Sequence, residues 1–132
     1  MSFKEEVDDA KSHVVAIRLL IQLSRPTRPG EKLDEEKEKK KIETIEATRK
    51  NLRYFSEERI ESLIALSRTS MPMEVDEIIH KLERAEFLLE DIGKGKDRKG
   101  NLRSLVESFK TAPTVQNALL AIPTLQRVTT ES

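Results

Sequence analysis

Residues 31–70 read EKLDEEKEKKKIETIEATRKNLRYFSEERIESLIALSRTS, a stretch with no Gly and no Pro. Ile42, Ile45, Leu52, Ile60, Leu63 and Ile64 fall on one helical stripe across it. That register predicts one long, mostly solvated helix over about 33–68, which would span about 50 Å at about 1.5 Å per residue. Its opening turns, Asp34 to Lys41, offer Glu35 to Lys39 and Glu36 to Lys40 pairs in the favourable orientation, each worth about 0.2–0.5 kcal/mol. Such a segment holds helix without burying anything. A rival reading ends the helix before Ser56-Glu57-Glu58, where Ser56 caps a new helix and Tyr54 and Phe55 turn inward. The stripe stays in phase across Ser56, which favours continuity.

On the N-terminal side, Ser2 followed by Glu5 matches a capping box, and Phe3, Val7, Ala10, Val14, Ile17 and Ile21 recur at helical spacing. A first helix is expected over about 3–24. Its second half also carries Val15, Leu19, Leu20 and Leu23 off the stripe, so that end calls for cover on more than one side. Ser24 to Gly30, with two prolines and a glycine, is a loop. On the C-terminal side, Ser70-Met71-Pro72 opens a helix that Gly93 closes, with Val75, Ile78, Ile79, Leu82, Ala85, Leu89 and Ile92 on one face. Phe87 and Met73 project elsewhere. Gly93 to Gly100 reads as a polar loop, Asn101 as the cap of a short helix ended by Pro113, and Val115 to Ile122 as a last apolar segment before a polar tail.

Composition agrees with thin helical layers. The 132 residues are 36% charged, 36% hydrophobic and only 4% aromatic, with 4 Gly and 5 Pro. A chain of this length buries roughly two thirds of its unfolded surface in one core, and neither an internal repeat nor a second domain is seen. The turn-rich alternation of a sandwich or barrel is absent. The 24 bases balance 24 acids, so no overall field draws the chain to nucleic acid or membrane. The chain has no cysteine, no apolar N-terminal signal, and no apolar run long enough to cross a bilayer; a cytoplasmic or nuclear protein is expected.

The packing raises a question. In an antiparallel arrangement the apolar end of the first helix lies beside Asp34 to Lys41, which bury almost nothing. Either the segment Val115 to Val128 or a second copy of the protein must cover it, because each exposed Leu forgoes about 1.5–3 kcal/mol. The surplus apolar residues Leu19, Leu20, Leu23, Tyr54, Phe55 and Phe87 are therefore candidate partner-binding positions.

Little here suggests catalysis. There is no Cys, and the only histidines are His13 and His80. Glu77 and His80 have the Glu-x-x-His spacing of half a di-iron carboxylate site, but Ala10 stands at the matching position before His13. No metal, cofactor or catalytic residue is expected. The most distinctive local chemistry is Gly93 to Gly100, where Lys94, Lys96, Arg98 and Lys99 lead, with three glycines, into a helix that also carries Arg103. Backbone amides, helix dipole and mobile cations there favour an anion. The spacing is not that of a P-loop, since Asn101 stands where the lysine belongs. The plainer reading has Lys94 and Lys96 neutralising Glu90 and Asp91 at the negative end of the preceding helix. Residues 72–92 hold seven acids against two bases, and 93–110 six bases against two acids, a contrast suited to steering a charged partner.

Taken together, residues 1–132 read as one all-α domain: an up-down-up helical bundle with one long central helix (about 33–68) and short C-terminal helices. The expected role is a non-enzymatic interaction or adaptor module. Its partner would be a helical or charged protein segment or a second copy of itself, with no membrane involvement. The alternative is a nucleic-acid or phosphate-binding regulator acting through residues 93–103.

Overall fold

The computed structural model describes residues 2–27, 30, 32 and 34–130. Helix α1 spans Phe3–Ser24, and the Ser2 hydroxyl accepts the Glu5 amide at 3.2 Å, as the capping box predicts. Next come α2 (Glu35–Asn51), α3 (Glu57–Thr69), α4 (Pro72–Gly93), α5 (Lys99–Glu107), a 3-10 turn (Ser108–Thr111), α6 (Pro113–Leu120) and α7 (Pro123–Thr130). The protein is all-α, with no strand among the described residues.

The long helix expected over 33–68 is instead a helical hairpin. Helix α2 stops at Asn51, and Ser56, in extended backbone (φ −71°, ψ 159°), caps α3 by accepting the Arg59 amide at 3.2 Å. The turn drives Leu52 and Phe55 into the core and brings Arg49 against Glu57 and Glu61. The reason is reach. Helix α1, with 22 residues, is about 33 Å long, so a rod of about 50 Å would overhang it, whereas folding back at 52–56 lays both α2 and α3 along it.

The central helix is therefore α1, which touches α2, α3, α4 and α7. Along α4 the register is antiparallel, marked by Lys11 with Glu90 at 3.4 Å, Arg18 with Glu86 at 2.6 Å and Arg25 with Asp76 at 2.6 Å. Helix α3 runs the other way: its start lies near His13, where Phe55 packs edge-on, and its end near Ile21, whose carbonyl accepts the Ser67 hydroxyl. The buried apolar residues join into a single cluster from Val7 to Val128.

The C-terminal segment covers the opposite end of α1 from the one expected. Pro123 opens a further helix, α7, where the sequence reads as a polar tail. The Thr124 hydroxyl donates to the Glu6 carbonyl at 3.2 Å, and Arg127 pairs with the Glu6 carboxylate at 2.6 Å. Helix α6 lies on α3, where Arg59 donates to the Asn117 carbonyl at 2.9 Å. The Leu20 end of α1 is covered by the α2–α3 hairpin and α4. Two smaller boundaries also differ: Ser70 closes α3 while Met71 precedes α4, and α5 begins at Lys99, before Asn101.

Candidate interaction surface on helix α4

The six apolar positions expected at a partner interface separate into three groups. Leu20 and Phe55 lie in the chain's own core and offer no surface; the hairpin turn, invisible as long as α2 and α3 read as one helix, is what buries Phe55. Leu19 and Leu23 are half-buried, and Leu23 lines a cleft of about 500 Å³ between α1, α2 and α3. Tyr54 is exposed at one edge, but its ring stacks on His13 and its hydroxyl donates to Asp9 at 2.6 Å. Phe87 is 70% exposed.

Its position follows from helical periodicity. The core side of α4 carries Val75, Ile78, Leu82, Ala85 and Leu89. Met73, Glu77, His80, Arg84 and Phe87 follow one another at intervals of four, three, four and three residues, which keeps them within one outward stripe. All five are exposed, and Met73, at 80%, is barer than Phe87. Met73 was not among the expected partner residues. The 4-3-4-3 spacing was the signal for it, masked because the stripe is polar in the middle.

Phe87 stands between two depressions. One, of about 700 Å³, lies between α4 and α5, with His80, Arg84, Ser104 and Leu105 in its walls. The other, of about 450 Å³, lies towards α1 and is rimmed by Lys11, Arg18, Glu86 and Glu90. Charges on the α1 side are already matched: the Arg18 guanidinium donates to the Glu86 carboxylate, which raises the Arg18 pKa, and Lys94 and Lys11 hold the Glu90 carboxyl below its ordinary range. Arg84 differs, making no ion pair among the described residues, and Glu77 pairs only with Lys81, one turn along its own helix, at 3.3 Å.

The basic loop follows the plainer expectation. Lys94 pairs with Glu90 at 3.3 Å, Arg98 with Asp91 at 3.2 Å and Lys96 with Asp91 at 3.8 Å. Lys99 lies over the Phe3 ring at 5.9 Å, and Arg103 turns inward to donate to the Val128 carbonyl at 3.4 Å. At the start of α5 the Asp97 carboxylate accepts the Lys99 amide at 3.5 Å, putting a negative charge where an anion would bind. The five cations thus face their own chain rather than converging on a common point.

Among the described residues no group of three or more His, Asp or Glu side chains is placed to hold a metal ion, and no helix is long and apolar enough to cross a membrane. The chain matches no protein-family model, no curated protein and no solved structure.

Proposed function

We propose that this protein is a non-enzymatic interaction module that engages a helical protein segment through the outward stripe of α4 and the groove beside α5. The observation that carries the reading is Phe87. A phenylalanine withdrawn from water contributes about 1.5–3 kcal/mol, and here that gain is left unclaimed beside a groove holding Leu105. Large apolar side chains flanked by polar walls are the usual anchors of helix-in-groove recognition.

The test is a selection from a displayed library of amphipathic helical peptides against the wild-type chain, with Phe87→Asp as the counter-target. Peptides that bind the wild type at least about tenfold more tightly than the variant, the two proteins having equal helix content by circular dichroism, support the reading. Enrichment that ignores the substitution, or no enrichment, overturns it. The nucleic-acid or phosphate reading has weaker support, because Lys94, Lys96 and Arg98 are each already paired with an acid at the end of α4.

A further inference from the structure

We infer that the partner for this surface is a second copy of the chain, docked through α4 against α4 about a two-fold axis at His80. The inference rests on the reading of the α4 stripe as an interaction surface and names its occupant. In a two-fold interface the same patch serves both protomers and must complement itself when reversed. The stripe does so. His80 is its midpoint, with Met73 seven residues before it and Phe87 seven after, Glu77 three before and Arg84 four after. Laid antiparallel, Met73 of one protomer meets the partner's Phe87, and Glu77 meets the partner's Arg84, each contact occurring twice.

The complementarity is chemical as well as positional. The two apolar ends are the barest large apolar side chains on α4, and a thioether against an aromatic ring is a favourable contact. The inner pair sets the carboxylate of Glu77, which among the described residues pairs only with Lys81, against an Arg84 that has no ion pair among them. A parallel arrangement would place Glu77 on Glu77 and Arg84 on Arg84, so charge selects the antiparallel one. The spacing is that of a coiled-coil seam, and the other faces of α4 are occupied by α1 and α5.

The experiment is sedimentation velocity over about a hundredfold concentration range on four full-length proteins: wild type, Glu77→Arg, Arg84→Glu and the double variant. The wild type is expected to pass from monomer to dimer. Each single change sets like charges opposite each other and should raise the dissociation constant at least about tenfold, while the double change restores opposite charges and should bring it back to within about threefold of wild type. All substituted positions are exposed, and recovery in the double variant excludes misfolding as the cause of loss. A wild type monomeric throughout, a dimer indifferent to the single changes, or a double variant no better than the singles overturns the inference. A monomer that still binds helical peptides in a Phe87-dependent way overturns only the dimer; a monomer that binds none overturns the interaction reading as well.

Discussion

The imidazole of His13 stacks on the ring of Tyr54, centroids 4.5 Å apart and planes 30° from parallel. His13 is 2% exposed, its Nδ1 lies 2.8 Å from the Asp9 carbonyl and its Nε2 has no hydrogen-bond partner among the described residues. Tyr54 closes over it from the α2–α3 turn, donating to Asp9, which also pairs with Arg53. One turn of α1 thus holds the turn of the hairpin, and the break in the expected long helix is fixed by contacts far away in the chain.

Removing the phenol hydroxyl and removing the ring should therefore differ in effect. Tyr54→Phe keeps the stack and loses one hydrogen bond, an expected cost of about 0.5–1.5 kcal/mol. Tyr54→Ala also loses the ring pair, worth about 0.5–1.5 kcal/mol beyond burial. Urea unfolding of the two variants, with amide exchange across residues 52–56, checks both the order of the losses and where they fall.

The same hydrogen bond makes stability depend on alkaline pH. Asp9 raises the Tyr54 pKa, chiefly through that bond, so the folded chain keeps a proton that the unfolded chain loses. Its contribution is complete below the ordinary phenol value of about 10 and declines as pH rises through the folded-state value. Unfolding free energies of wild type and Tyr54→Phe should converge above about pH 10. Glu90 acts in the opposite sense: its pKa is lowered by Lys94 and Lys11, so its contribution is present above the ordinary glutamate range and lost on acidification below it.

Leu20 and Leu23 test where the core ends. Leu20 is fully buried, and Leu20→Ala should cost about 2–5 kcal/mol with a matching fall in melting temperature. Leu23 borders the open cleft, and Leu23→Ala should cost under about 1 kcal/mol. Equal losses in thermal unfolding would contradict this assignment.

Gly93 and Gly95, two residues apart in different surroundings, give a local test of backbone against packing. Gly95 has φ +92° with open space around it, so Gly95→Ala should cost about 1–2 kcal/mol in backbone strain alone. Gly93 is helical, and a Cβ there would meet the Val7 side chain at 3.4 Å, an ordinary contact. Gly93→Ala should be neutral or stabilising by up to about 1 kcal/mol. Chemical denaturation of both variants decides the comparison.

Local signals were legible and distant ones were not. The Ser2 cap, the α1 stripe and the Pro72 and Gly93 limits of α4 depend on neighbours in sequence, and α1 and α4 form as their spacing predicts. The sequence does not reveal the hairpin because Ile60 and Leu63 stay in phase with Ile42 and Ile45. The Ser56 cap was visible, but choosing it required knowing that α1 is too short to support a continuous partner. In the same way, the burial of Leu20 and Phe55 follows from which helices fold over them. Pairing of Lys94, Lys96 and Arg98 with the end of α4 was legible, since those acids lie within seven residues of the cations.

Helix α2 contributes a single buried side chain, Thr48, near its C-terminal end. Its earlier turns rest on Glu35 to Lys41, all at least partly in water, and on its own capping residue Asp34, which accepts the Glu36 and Lys37 amides. The molecule therefore has a soft margin attached at one end to a firm body. Detaching those turns exposes almost no new apolar surface, so they open with little denaturant dependence and at a far lower free energy than the whole chain. Limited trypsin digestion should cut first between Lys37 and Lys41, leaving a nicked protein whose α1–α4 pair still melts as a unit.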